Sequence, residues 1–199
     1  MIFQAIKKYH IILASNSPRR KRLLEDLGID FKLIKQDNVD ENVPASILTE
    51  NVAEYLAVKK SELLNITDNE ICITADTVVC LGEKILNKPK DYNDAIQMLE
   101  SLSGRQHVVI TGVCIKSAYN MYSFSSLTKV WFGNLNSEEI EYYVGKYKPY
   151  DKAGAYGIQE WIGYIGVEKI EGSYFNVMGL PVQKLYTELN NFIEKENNY

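Results

Sequence analysis

The sequence predicts an α/β fold with a mixed central sheet flanked by helices, and three observations predict it. Short apolar runs with strand character alternate with segments of helical periodicity along the chain. Two successive strand-like runs, 107–116 and 122–132, meet at a polar turn near Tyr119-Asn120 with no helix between them, so the sheet is expected to be mixed rather than purely parallel. No internal repeat, low-complexity stretch or clear linker interrupts the 199 residues, a length that suits one domain over 1–199 or two lobes sharing a sheet.

The elements follow in order. Residues 10–15 read as a short apolar strand. Ser17 and Pro18 then supply an N-cap and a first helical position, Leu23, Leu24 and Leu27 an apolar face, and Gly28 a stop, giving a helix over 18–27. A second strand is expected over 30–35, an acidic irregular connection over 37–44, and a helix over 45–64 on the spacing of Leu48, Val52, Tyr55, Leu56 and Leu63. Residues 70–81 form a strongly apolar strand. Asp91 caps a helix that runs to Leu102, with Gly104 as its stop. After the hairpin, Ser137 with Glu138 and Glu139 opens a helix to about Tyr147. Residues 163–170 and 174–177 read as short strands, and Pro181 opens a last helix to about Glu194.

Composition narrows the function. Hydrophobic residues make up 46% and charged residues 24%, ordinary for a globular protein. A formal net charge of −4 argues against general nucleic-acid binding, so any anion site must be local. No apolar run approaches the roughly 20 residues that span a bilayer, and the first ten residues are too short and too polar for a secretory signal, so a cytoplasmic location without membrane attachment is expected. Cys72, Cys80 and Cys114 lie in apolar stretches without CxxC spacing and read as buried free thiols.

Several residues sit where chemistry is needed to explain them. Arg19 and Arg20 occupy a helical first turn, the end whose dipole disfavours cations, beside free N–H groups and the hydroxyls of Ser15 and Ser17; a multiply charged anion, most simply a polyphosphate, would reconcile them. Asp76 interrupts an apolar strand, at a cost unless it is paired, hydrogen-bonded or metal-bound. It reads either as a metal ligand or general base, or as a cap at a strand end. Glu41 is either a solvated loop carboxylate or the partner of Asp76 in holding Mg²⁺ or Mn²⁺. Lys60 lies one turn beyond Leu56, near the apolar stripe, and Lys88 lies just before Pro89; each is ordinary alone, but with Arg19 and Arg20 they would surround one triphosphate–metal complex. The small-residue run from Asp151 to Gln159 is either a plain loop or a close approach to a ligand, with the Gln159 amide suited to a nucleobase edge. There is no GxxxxGK[ST], no GxGxxG after a strand and no GxSxG.

Taken in order, Leu13-Ala14-Ser15-Asn16-Ser17-Pro18-Arg19-Arg20, Val39-Asp40-Glu41, Leu56-Ala57-Val58-Lys59-Lys60, Ala75-Asp76-Thr77-Val78-Val79, Asn87-Lys88-Pro89, Leu102-Ser103-Gly104, Asp151-Lys152-Ala153-Gly154-Ala155-Tyr156-Gly157-Ile158-Gln159 and Gly179-Leu180-Pro181 resemble the motifs of the Maf family of nucleoside triphosphate pyrophosphatases over nearly the whole chain. The resemblance implies a Maf/ITPase-like fold with two lobes around a cleft. It also implies hydrolysis between the α and β phosphates to a nucleoside monophosphate and pyrophosphate. By the same resemblance Asp76 activates the water and Lys60 and Lys88 complete the catalytic set. Asp76 and Glu41 hold a divalent cation, Mg²⁺ or Mn²⁺, and Ser15, Arg19, Arg20, Lys60 and Lys88 grip the phosphates. Arg19, Thr77 and Gln159 match the branch acting on dTTP and UTP; Ala75-Asp76-Thr77 differs from the serine–aspartate–glutamine run of the branch acting on methylated GTP. The family further implies a homodimer, and its link to cell-division arrest gives a different class of reading, a nucleotide-binding regulator with little turnover. Glu160-Trp161 stands where many relatives carry small residues, at the expected lip of a base pocket.

Overall fold

The computed structural model describes residues 6–36 and 39–197. Residues 1–5 and 198–199, and Asp37 and Asn38 at the start of the expected acidic connection, lie outside them. After a 3-10 turn at Ile6–Lys8 the order is β1 (His10–Ala14), α1 (Pro18–Asp26), β2 (Lys32–Ile34), a 3-10 turn (Thr49–Asn51), α2 (Val52–Glu62), β3 (Glu70–Leu81), β4 (Lys84–Leu86), α3 (Tyr92–Leu102), β5 (Gln106–Lys116), β6 (Met121–Phe132), α4 (Ser137–Tyr147), a 3-10 turn (Ala153–Ala155), α5 (Trp161–Gly166), β7 (Val167–Glu171), α6 (Tyr174–Met178) and α7 (Val182–Glu196). The sheet order is β2-β1-β3-β5-β6-β7, with β4 paired to β3. β1 runs parallel to β2 and β3, while β4 on β3 and β7 on β6 are antiparallel, so the sheet is mixed. No helix of the described residues is long and apolar enough to cross a membrane.

The chain divides into two compact units, and β3, β5 and β6 each contribute to both. Unit 1 comprises the chain up to Asp76, Thr111–Ser126 and the chain from Gly179. Ser17 caps α1 by accepting the Arg20 N–H at 3.4 Å, Pro18 fills its first turn, and Gly28 follows its end at φ 76°. α2 presents Ala53, Leu56, Ala57, Lys60 and Ser61 as one buried stripe, so Lys60 extends the apolar face and does not oppose it. Three contacts seat α2 on the sheet. The Thr74 hydroxyl donates to Ala57 O at 2.6 Å, and Lys116 Nζ donates to Ser61 O and Leu64 O at 3.0 and 2.9 Å, satisfying carbonyls at the helix end. Gly112 on β5 meets the α2 backbone so closely that a Cβ would stand 2.3 Å from the Ala53 carbonyl carbon.

Unit 2 comprises Thr77–Ile110 and Leu127–Met178. Its core joins Leu99 and Leu102 of α3, Val130 of β6, and Ile140 and Tyr143 of α4 to Ile158 of the following loop. The Asn136 carboxamide and the Glu139 carboxylate form a capping box at the start of α4. His107 is buried, with Nε2 2.7 Å from the Tyr156 hydroxyl and its ring edge-on to Phe132; burial pushes it down to about 4, so it is neutral near pH 7. The three cysteines are free and buried as expected, and burial pushes the Cys72 thiol up to about 12 and that of Cys80 up to about 11.

The structure corrects four elements. The helix expected over 45–64 starts only at Val52, after a 3-10 turn at Thr49–Asn51, in a stretch where Ser46, Thr49 and Asn51 have low helix propensity. β4 is an unexpected strand, returned by a turn at Gly82, which adopts φ 60°. The strand expected over 163–170 is helical through Gly166 and extended only from Val167. The strand expected over 174–177 is the short helix α6, nucleated where Ser173 Oγ accepts the Asn176 N–H at 3.3 Å. In both cases a short apolar, aromatic run is compatible with either period, and the flanking hydrogen bonds decide.

Gly112→Ala is expected to lower stability by about 2–3 kcal/mol, because the α2 backbone must retreat from the sheet. Thermal denaturation should show Tm falling by several degrees.

Candidate active site

β1 ends at Ala14, which pairs with Thr74 of β3, so Ser15 and Asp76 lie just past the last paired residues of two parallel strands. Loops beyond the carboxyl ends of parallel strands are where α/β sheets place ligands. Ser15 is buried; its N–H donates to Ile34 O at 3.1 Å and its hydroxyl accepts the Ser17 N–H at 3.2 Å. Asn16 and Gln36 exchange hydrogen bonds at 2.7 and 3.0 Å, and the Gln36 amide donates to Lys60 O at 2.8 Å, tying the loops after β1 and β2 to the end of α2.

One contact organises the group. Lys60 Nζ donates to Glu41 Oε1 at 3.0 Å and makes a short hydrogen bond to Asp76 Oδ1. The Lys60 and Asp76 side chains retain only 11% and 13% of their exposure and that of Glu41 48%, so the carboxylate in the apolar strand is compensated by an equally desolvated ammonium. The neighbouring Lys59 holds Asp40 at 2.9 Å and Asn42 O at 3.2 Å, so two consecutive lysines fasten the acidic loop to α2. The Lys59 hydrogen bond, with the Asn42 N–H, lowers the Asp40 carboxyl below its ordinary value.

Arg20 donates from Nε to Gly179 O at 2.8 Å, which gives the Gly179-Leu180-Pro181 motif a role no sequence signal suggested. Burial lowers the Arg20 guanidinium from its ordinary value; the nearby carboxylates of Asp76 and Glu41 oppose that shift and Arg19 adds to it. Unit 1 therefore brings together Asp76, Lys60, Glu41 and Arg20, with Arg19 half-buried in the first turn of α1 and Ser15 at the end of β1.

Thr77, Lys88 and Gln159 belong to unit 2. Thr77 is half-buried and follows Asp76 directly in the chain; Lys88 is exposed. Asn87 O accepts the Gly154 N–H at 3.3 Å, and a Cβ on Gly154, at φ 69°, would stand 3.0 Å from Val79 Cγ1. The run 151–159 thus lies against β3 and the Lys88 loop, and is not a free loop. Gln159 is half-buried, with its Oε1 buried and unpaired. The Glu160 carboxylate turns inward onto Lys152 and Tyr143, while Trp161 packs edge-on against Tyr142 at a centroid distance of 4.9 Å.

Asp76 and Glu41 present oxygens only, and among the described residues no group of three or more His, Cys, Asp or Glu could hold a metal. Two carboxylates completed by substrate oxygens suit a hard divalent cation, which commonly takes one or two protein carboxylates with phosphates and water.

Residues 10–192 match the family model described as Maf-like protein. The chain belongs to the Maf-like protein family. It is 52% identical over 190 residues to the dTTP/UTP pyrophosphatase of Phocaeicola vulgatus, covering 94% of this chain and 98% of that one. It is also 52% identical over 193 residues to the dTTP/UTP pyrophosphatase of Parabacteroides distasonis, covering 96% and 100%. Among solved structures the Maf-like chain is similar in fold to the Staphylococcus aureus Ham1 protein, with a TM-score of 0.50 at 16% identity over 94% of this chain and 99% of that one.

Lys60→Met should cost about 1–3 kcal/mol, because it removes the ammonium that Asp76 and Glu41 share. Urea denaturation at pH 7 reads the loss, and the same substitution in an Asp76→Asn background should cost clearly less.

Proposed function

We propose that this Maf-like chain is an enzyme, a dTTP/UTP pyrophosphatase that hydrolyses these nucleotides to the nucleoside monophosphate and pyrophosphate and so removes unwanted nucleoside triphosphates. The observation that carries the reading is the Asp76–Lys60–Glu41 contact beside Arg20, in a chain half identical to proteins of that name. A water oxygen attacks the α-phosphorus, the bond from that phosphorus to the α,β-bridging oxygen breaks, and pyrophosphate leaves. Asp76 accepts the proton of the attacking water. Lys60 holds the Asp76 carboxylate in place and, with Ser15, Arg19, Arg20 and Lys88, binds phosphate oxygens whose charge grows in the transition state. Asp76 and Glu41 would hold a divalent cation, Mg²⁺ or Mn²⁺, which would neutralise charge on the triphosphate.

Arg19, Thr77 and Gln159 are the nucleotide-selective residues in this reading. Thymine and uracil present an imide N–H, and the buried Gln159 Oε1 is an acceptor that the fold leaves unpaired. The enzyme acts as a cytoplasmic homodimer in this reading, and light scattering tests the dimer.

A substrate panel decides between this activity and its alternatives. With Mg²⁺ or Mn²⁺ and a coupled inorganic pyrophosphatase, dTTP and UTP should turn over while 7-methyl-GTP is far slower. Preference for 7-methyl-GTP would favour a methylated-nucleotide pyrophosphatase, and tight binding without turnover a regulator. Arg19→Ala should lower kcat/KM for dTTP by about 10–100-fold, the worth of a charge-assisted phosphate contact; an unchanged value removes Arg19 from the site.

A further inference from the structure

The inward turn of Glu160 creates a buried polar network at the residue that follows Gln159 in the chain. Lys152 is buried; its Nζ donates to Asp151 Oδ1 at 2.7 Å and forms an ion pair with Glu160 Oε1 at 3.2 Å. The fully buried Tyr143 donates its hydroxyl to Glu160 Oε2 and accepts the Gly157 N–H at 3.0 Å. Burial, and then the Glu160 carboxylate, raise the Tyr143 phenol above its ordinary value, so it remains a donor. The Glu160 N–H closes the turn on Gly157 O at 2.9 Å. Residues 157–160 are therefore gripped through the backbone at Gly157 and Glu160 and through the carboxylate between them.

Gly157 lets this turn close. A Cβ there would stand 2.8 Å from Glu160 Cδ and 3.1 Å from Gln159 Nε2, so the Glu160 carboxylate and the Gln159 carboxamide pack over the same glycine. A free carboxamide is a poor discriminator: rotated by half a turn it pairs with the N3–H and O4 of uracil or thymine, or with the N3 and N4–H₂ of cytosine. Selectivity then resides in whatever fixes the carboxamide and the backbone carrying it.

We propose that Glu160, locked by Lys152 and Tyr143, is a positioning residue that sets nucleobase selectivity by holding the 157–159 turn and thereby Gln159. This rests on the reading of Gln159 as the base contact. The network acts through Gln159, so its loss weakens recognition of the correct base more than it slows the chemical step.

Tyr143→Phe removes one oxygen and keeps the ring, and Glu160→Gln keeps an oxygen for Tyr143 but removes the charge facing Lys152. Steady-state kinetics of the full chain with dTTP and dCTP should show, for Tyr143→Phe, KM for dTTP raised about tenfold with kcat within about twofold, and the dTTP-over-dCTP preference in kcat/KM reduced about tenfold. Glu160→Gln should give a smaller change in the same direction. In a Gln159→Ala background Tyr143→Phe should reduce the preference no further, a coupling that a purely structural role does not produce. An unchanged preference in both variants, even with a lowered Tm, overturns the proposal, as does a full additional loss in the Gln159→Ala background. If the wild-type chain turns over neither dTTP nor UTP, the underlying activity fails first, and that result is separate from either outcome.

Discussion

The ammonium of Lys60, shared by Asp76 and Glu41, is the constraint around which unit 1 is arranged. A carboxylate inside an apolar strand needs compensation, and here it comes from a helix that carries a lysine in its buried stripe. To deliver that lysine, α2 must lie close to the sheet, which explains Gly112 beneath Ala53 and the Thr74 hydroxyl on Ala57 O. The last-turn carbonyls of α2 take hydrogen bonds from Lys116 and Gln36, so the helix end that carries Lys60 cannot fray freely. Buried ion pairs seldom add net stability over an apolar pair of the same size, yet removing one member is costly. Under the proposed function, such a pair holds charge ready for polyphosphate chemistry rather than serving as a source of stability.

Unit 2 solves a different problem with similar means. Its run 151–160 contains residues that ordinarily mark a mobile loop, yet Gly154 is seated on Val79 and bonded to Asn87 O, and Glu160 is locked from inside by Lys152 and Tyr143. Buried polar groups hold this run at both ends, so it is fixed where its composition alone suggests mobility. Ser15, Arg19, Arg20, Glu41, Lys60 and Asp76 belong to unit 1, and Thr77, Lys88 and Gln159 to unit 2.

What could be read in advance follows from how local each signal is. β3 and the starts of α1 and α3 were legible because a long apolar run and an N-cap are defined within a few residues. The segment 161–178 was not, because short apolar and aromatic runs fit either period and hydrogen bonds from Glu160 and Ser173 decide. Asp76 and the arginine pair were legible as charges in unsuitable settings. The meeting of Lys60 with Glu41, and of Glu160 with Lys152 and Tyr143, depends on chain packing between residues far apart in sequence, and no spacing rule reports it. Gly179 shows the same gap: its motif could be noticed, but its carbonyl on Arg20 could not.

The central claim is that Asp76 is placed for chemistry and not for stability. Asp76→Asn removes a negative charge while keeping its size and leaves Lys60 paired with Glu41, so the most direct measurement is turnover of dTTP and Tm on the same preparation of that variant. The account requires kcat to fall by about three orders of magnitude or more, the scale seen when a general base is removed from a preorganised site, with Tm within a few degrees of wild type. Retained turnover, or a chain that no longer folds, would contradict it.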